Sequence, residues 1–338
     1  MIDRVPLGPR MTRSLVIVHP GSLGDVLLAV PAIRRLGARD NGREILLVAQ
    51  ESIGRLLIAC GIINDWMSWD GPAVTGLFSS GVPLPCKLKG WLNRCDMAVA
   101  WMDDKQDALR ATFEEFAVAE VRIQSPFSPV LHTRHQSHRF LETVEEPPDD
   151  GSLERFIQVP PNLVEEGTAC LERIGIPRGR PFVLVHPGSG SAHKCLHPIA
   201  IADIIQRLVQ NGLFPVIVEG PADQPAVERV LQVINSRPLI LQNLALPTLA
   251  GVLVRAQFLL GHDSGVTHLA ALLGVRTVAV FGPTDPARWG PLGDHVTIVR
   301  GPSCRCPSWD DARACHEKPC LAVPTDQIFT SLKAAGLT

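Results

Sequence analysis

Val16-Ile17-Val18-His19-Pro20-Gly21-Ser22 returns near mid-chain as Val183-Leu184-Val185-His186-Pro187-Gly188-Ser189. Each copy is a short apolar run, then a Gly/Ser turn, then a helix-like stretch, which is the strand–loop–helix opening of an α/β unit. Two such openings 167 residues apart in one chain predict two similar α/β domains.

Working outward from the first copy, helices are expected near Val26–Leu36 and Ser52–Ile58, and strands near Glu44–Val48, Asp96–Trp101 and Ala117–Ile123. The stretch Gly71–Gly90, rich in Gly, Pro and Ser, reads as a loop. Glu145–Gly151 is a Pro- and acid-rich break, suited to an exposed linker. A helix at Leu163–Ile174 then leads to the second copy. Beyond it, helices (Ile199–Gln210, Pro225–Ile234, Thr248–Arg255, Val266–Leu273) alternate with strands (Pro215–Val218, Leu239–Leu241, Phe258–Gly261, Val275–Phe281). Strands separated by helices predict a parallel sheet with right-handed crossovers. The expected organisation is a lead-in (1–13), a first Rossmann-like domain (14–160), a second one (161–320), and a tail (321–338) packing back on the first.

With 338 residues, the chain has room for two ordinary domains. Its 46% hydrophobic and 20% charged content is that of a globular enzyme. A net charge of −2 without a long basic run argues against nucleic acid as a partner. No stretch approaches eighteen uninterrupted apolar residues, so no transmembrane segment is expected. The first thirteen residues hold three arginines and two prolines but no apolar core of a signal peptide. Nine scattered cysteines, an odd number, suit a reducing compartment. The expected address is cytoplasmic.

Ligands of parallel sheets bind at the carboxyl ends of the strands, so four turns matter most. In His19–Asp25, Gly21 and Gly24 allow close approach to a ligand and the next helix presents free N–H groups. This is not GxGxxG, so the nicotinamide fingerprint is missing. Asp25 suits two roles, a helix cap and a base that takes a proton from an acceptor hydroxyl. In His186–Lys194, Ser189, Gly190, Ser191 and local N–H groups can cradle a diphosphate, with Lys194 supplying positive charge; the alternative is an ordinary loop with a solvated lysine. In Glu219–Asp223, either Glu219 or Asp223 suits the paired hydroxyls of a ribose, against the reading of both as surface acids. In Gly261–His268, Asp263 or Ser264 caps a helix whose N-terminus at Gly265 faces an anion, with His268 one turn on.

Together these residues resemble glycosyltransferase family 9, the bacterial lipopolysaccharide heptosyltransferases and their relatives. The matching pieces are Pro20-Gly-Ser-Leu-Gly-Asp-Val-Leu-Leu-Ala-Val-Pro31, His186-Pro-Gly-Ser-Gly190 with Lys194, and Gly220-Pro-Ala-Asp223. Most specific are Asp263-Ser-Gly-Val-Thr-His-Leu-Ala-Ala271 and Phe281-Gly-Pro-Thr-Asp-Pro286 with Trp289-Gly-Pro291. The resemblance implies a GT-B architecture, two Rossmann-like domains with parallel sheets facing across a cleft. It also implies inverting transfer, without a required metal, from ADP-heptose to a lipopolysaccharide core or other glycan hydroxyl. The acceptor would be a glycan or glycolipid met at the inner-membrane surface. In that pattern Asp25 looks like the general base, Lys194 like the donor-phosphate lysine, and Asp263, Ser264, Gly265 and His268 like the donor motif; Gly24, Ser189, Gly190, Ser191, Glu219 and Asp223 complete the donor set. One departure is local: where family members often have Lys-x-Trp-Pro, Lys194 is followed by Cys195-Leu-His-Pro198. The rival readings are a nucleotide-sugar epimerase or hydrolase on the same frame, and a non-catalytic nucleotide-sugar binder.

Cys304, Cys306, Cys315 and Cys320 cluster near the end of the second domain. Their spacing is no standard zinc ribbon, so no metal is expected, with a structural metal or a redox-sensitive loop as the alternatives.

Overall fold

The computed structural model describes residues 13–38, 43–79, 81–126, 134–144, 157–304, 306 and 308–336. The expected lead-in up to residue 12 and the acid-rich break at 145–151 lie outside them. The chain divides into two compact units: Met1–Gly21 with Ala29–Val130 and Ser137–Asp149, and Ser22–Leu28 with Leu131–Gln136 and Asp150–Thr338.

The first unit is built on a five-stranded sheet: β1 (Ser14–Val18), β2 (Glu44–Ala49), β3 (Asp65–Ser68), β4 (Cys95–Ala100) and β5 (Glu120–Ile123). Their spatial order is β3-β2-β1-β4-β5, all parallel. The central strand β1 is buried at all five positions, as a strand covered on both faces must be. The helices are α1 (Leu23–Ala38), α2 (Glu51–Ala59), α3 (Cys86–Leu92), α4 (Ala108–Glu115) and α5 (Gln136–Val144). Val16, Val18, Leu46, Val48, Ala98 and Ala100 alternate onto one face and share a core with Leu88, Trp91 and Leu92 of α3 and Leu109 and Phe113 of α4.

The second unit has six strands: β6 (Val183–His186), β7 (Pro215–Glu219), β8 (Leu239–Gln242), β9 (Phe258–His262), β10 (Thr277–Val280) and β11 (Val296–Val299). Read across the sheet they run β8-β7-β6-β9-β10-β11, again all parallel. This is the 3-2-1-4-5-6 order of a doubly wound nucleotide-binding sheet, and it reverses direction between β6 and β9. Its helices are α6 (Pro161–Arg173), α7 (Pro198–Gln210), α8 (Gln224–Val233), α9 (Leu246–Leu253), α10 (Gly265–Leu272), α11 (Pro286–Trp289), α12 (Trp309–Ala314) and α13 (Thr325–Ala334). Helix α7 buries Ile201, Ile204, Ile205 and Leu208, a single helical stripe, against the sheet.

Three expectations are corrected. Gly71–Gly90 is not all loop, since a 3-10 turn (Pro72–Leu77) and α3 occupy much of it. The strand expected at Ala117–Ile123 begins only at Glu120, because Ala117 takes a left-handed φ of 54° just past α4. The tail does not join the first core: Ile328, Phe329 and Leu332 of α13 lie in the core of the second unit.

Candidate functional site

Helix α1 begins at Leu23, three residues earlier than expected, so Asp25 sits in its first turn. Its Oδ2 accepts from the Ser22 N–H at 3.0 Å and from the Ser22 hydroxyl at 2.7 Å. In this Ser-x-x-Asp helix start the acid reaches back to the Ser22 N–H, half of a capping box, while the Ser22 hydroxyl donates to the same carboxylate oxygen. Asp25 therefore braces the helix start through Oδ2. It belongs to Ser22–Leu28, the part of α1 that groups with the second unit, where Gly24 also lies. Before the turn, His19 is buried edge-on to Trp101 and Phe140, with ring centroids 5.6 and 5.4 Å away.

In the second unit, β6, β7 and β9 end side by side at the place where the strand order reverses. After β6 the chain turns through Gly188–Ser191 into a 3-10 turn, Ala192–Lys194. After β9 it passes Asp263 and Ser264 into α10. Ser264, not Asp263, is the cap: its Oγ accepts from the Thr267 N–H at 3.4 Å. That frees Asp263 to gather the neighbouring turns. Lys194 Nζ donates to Asp263 Oδ2 at 2.7 Å, Thr284 Oγ1 donates to the same oxygen at 2.6 Å, and Ser189 Oγ donates to the Asp263 carbonyl at 2.6 Å. His268 Nε2 lies 3.9 Å from Oδ1.

Beneath this cluster runs a buried polar chain. His186 faces Asp223 Oδ2 through Nε2 at 2.9 Å and Ser264 Oγ through Nδ1 at 3.1 Å. Asp223 Oδ2 also accepts from the Gly220 N–H at 2.8 Å. The turn fits only because residue 188 is glycine: a Cβ there would lie 1.8 Å from Asp223 Oδ1. Asp223 is thus committed to bracing the β6 and β7 turns. The carboxylate of Glu219, also buried, takes long contacts from Gln242 Nε2 at 3.3 and 3.4 Å. Of the two acids, Glu219 has the carboxylate less committed to the fold.

Charge states follow from these partners. Burial alone raises the Asp263 carboxyl, but His268 and Lys194 outweigh it and hold it well below the usual carboxylate range. Asp223 is likewise lowered against its burial, chiefly by His186. Burial, reinforced by the His186 charge, pushes His262 down to about 4. The neutral ring is also what the hydrogen bonds require, because Nε2 accepts from the Leu196 N–H at 3.0 Å. Lys194 spends one of its three donors on Asp263 and remains about a fifth exposed, so it is oriented without being used up.

The structure brings Ser189, Lys194, Asp263, Ser264, Gly265 and His268 to one edge, with Gly190 open around its Cα. Ser191 caps the 3-10 turn, its Oγ accepting from the His193 N–H at 3.3 Å. Four participants were not assigned from sequence: His186, His262, Thr284 and Trp309. The first three lie in or beside the quoted motifs; Trp309, whose ring centroid is 5.5 Å from Lys194 Nζ, has no local signal.

The family model described as glycosyltransferase family 9 (heptosyltransferase) matches residues 159–319, the stretch that carries this edge. Residues 159–319 carry a glycosyltransferase family 9 domain. Lipopolysaccharide heptosyltransferase 1 of Pseudomonas aeruginosa is 34% identical over 149 residues, 44% of this chain and 40% of that protein. The chain spans 38%, 35% and 55% of the length of three further curated heptosyltransferases it matches. A family 9 glycosyl transferase from Veillonella parvula has the same fold, with a TM-score of 0.79 at 18% identity, covering 97% of this chain and 98% of that one. E. coli ADP-heptose lipopolysaccharide heptosyltransferase II follows with a TM-score of 0.72 at 18% identity, covering 95% and 98%. Both likenesses agree with the GT-B class, two parallel-sheet α/β units in one chain. Lys194, Asp263 and Ser264 fall inside the matched stretch, whereas Asp25 and Cys320 lie outside it.

Proposed function

We propose that this protein is a family 9 inverting glycosyltransferase that moves heptose from ADP-heptose to a hydroxyl of a lipopolysaccharide core or similar glycan. The observation that carries the reading is the Lys194–Asp263 pair beside the N-terminus of α10, at the reversal point of a doubly wound sheet. An ammonium with spare donors and a helix N-terminus together favour a diphosphate. The choice of ADP-heptose is supported by the names of the relatives, since nothing in the turns reads a base.

In this reading the donor diphosphate lies against Ser189–Ser191, Lys194 and the first N–H groups of α10. Glu219 takes the ribose hydroxyls, because Asp223 is occupied by His186 and Gly220. The acceptor oxygen attacks the anomeric carbon opposite the diphosphate, the bond from that carbon to the phosphate oxygen breaks, and the acceptor proton passes to Asp25. Lys194 and the α10 dipole meet the charge growing on the leaving group. The proposed place of action is the cytoplasmic face of the inner membrane, where a glycolipid acceptor is reached without insertion. No helix among the described residues is long and apolar enough to cross a membrane.

Incubation with ADP-heptose and a heptose-acceptor core tests the reading by mass of the product. Transfer is expected, and Asp25→Asn should lower turnover by about 10²- to 10⁴-fold, the usual contribution of a general base. The fold should persist, because asparagine keeps an acceptor for Ser22 and a lost cap costs only about 1 kcal/mol. Release of free heptose at the same rate with and without acceptor would replace the transferase by a hydrolase. Unchanged turnover in Asp25→Asn would remove Asp25 as the base.

A further inference from the structure

The segment from β11 to α13 runs for 25 residues, from Arg300 to Pro324, with little to hold it. Its described residues contain one six-residue helix, α12, and one 3-10 turn, Pro319–Leu321. Its described buried side chains are Ala312, Cys320, Leu321 and Val323, so packing secures chiefly the end near α13. Irregular segments of this length in a compact domain usually carry another constraint.

Four of the nine cysteines lie here, and the fold brings them together. The Sγ atoms of Cys304, Cys306 and Cys315 all lie within 4.8 Å of one another, and Cys304 packs against the core cluster that contains Cys320. The two ends of the segment are zipped side by side: the Gly301 N–H donates to the Cys320 carbonyl at 2.9 Å. Only glycine permits this approach, since a Cβ at residue 301 would lie 2.3 Å from the Pro319 carbonyl oxygen. His316 points outward and is not part of the set.

We propose that Cys304, Cys306, Cys315 and Cys320 hold one thiophilic metal ion that staples this segment and sets Trp309 against Lys194. A metal–sulfur distance of about 2.3 Å gives a tetrahedral tetrathiolate edges of about 3.8 Å. Cys304 and Cys306 stand 2.9 Å apart and all three sulfurs lie within 4.8 Å of one another, so side-chain shifts of about an ångström complete the three-sulfur face. Tetrahedral sulfur sites select zinc or iron. On binding, each ligating thiol gives its proton to solvent, and the dication with four thiolates carries a net −2, beside Arg313 and Lys318 of the same segment.

Trp309 lies between the second and third ligands in sequence, and its ring centroid is 5.5 Å from Lys194 Nζ. Fixing both flanks of α12 fixes this cation–π partner of the lysine. The metal itself does not depend on the role given to Lys194; only the consequence for donor binding rests on it.

The test is metal analysis of the full chain, purified without chelators from cells supplied with zinc and iron. About one metal per chain is expected, colourless if zinc and with sulfur-to-metal absorption if iron. Cys306→Ser and Cys315→Ser should lose it and melt several degrees lower, while Cys86→Ser, an exposed cysteine outside the cluster, should keep it. A metal-free wild type in which these four thiols react freely, or an intact mass 2 Da low from a Cys304–Cys306 disulfide, would overturn the proposal. If the serine variants fail to fold, the wild-type metal content still decides. A folded, metal-free variant that binds ADP as tightly as wild type would remove the link to Lys194.

Discussion

His262 gives the clearest link between a single side chain and a measurable pH effect. Its ring is fully buried at the end of β9, where Nε2 accepts from Leu196 and Nδ1 faces the Gly188 carbonyl at 3.3 Å. Folded, it protonates only near pH 4; unfolded, it does so near 6.5. Between these values the unfolded chain binds the extra proton, so stability falls as pH drops from about 6.5 to 4, by at most about 3–4 kcal/mol. Asp263 and Asp223, lowered in the folded state, contribute stability that is lost only as pH falls below about 3.8. Urea unfolding across pH 4–7 should show the first loss in wild type and a smaller one in His262→Gln, whose amide can both accept and donate. An identical slope in the variant would mean that His262 does not set this window. At this scale the sequence was partly legible. Gly/Ser turns and a lysine at strand ends announce an anion site, but which acid faces a ligand depends on partners distant in sequence. Asp223 is claimed by His186, 37 residues away, and Asp263 by Lys194, 69 residues away.

Elements with continuous buried runs were readable, because a strand covered on both faces must be apolar throughout. β1, β6, β7 and β9 are of this kind, each buried along its full length. Edge strands escape that logic: β3 and β11 are short, half-buried and carry polar residues. Helix α13 was hidden for another reason, since its destination is set by tertiary packing. Its Leu332 is completely buried among residues of the second core. Leu332→Ala should therefore cost about 2–5 kcal/mol in chemical denaturation, the usual range for a buried leucine. A cost below about 0.5 kcal/mol would mean that α13 adds nothing to that core.

For the whole molecule, the echo of Val16–Ser22 in Val183–Ser189 has a structural counterpart: both copies form the first strand of a doubly wound sheet and the turn that follows it. The two turns have diverged in use. The first is followed by a capped helix start with an acid, and the second by a lysine drawn to an aspartate of the neighbouring strand. The central claim is that the second turn holds an ADP-sugar diphosphate, and nucleotide-dependent melting tests it directly. A nucleotide at 100 times its dissociation constant adds about 2.7 kcal/mol to the folded state, enough to raise Tm by several degrees. ADP should do this more than UDP, GDP or NAD at equal concentration, and Lys194→Ala should lose most of the shift, read against its own ligand-free Tm, which falls because Asp263 loses its ammonium partner. A shift with UDP or GDP and none with ADP, or a Lys194→Ala shift equal to wild type, would contradict the account.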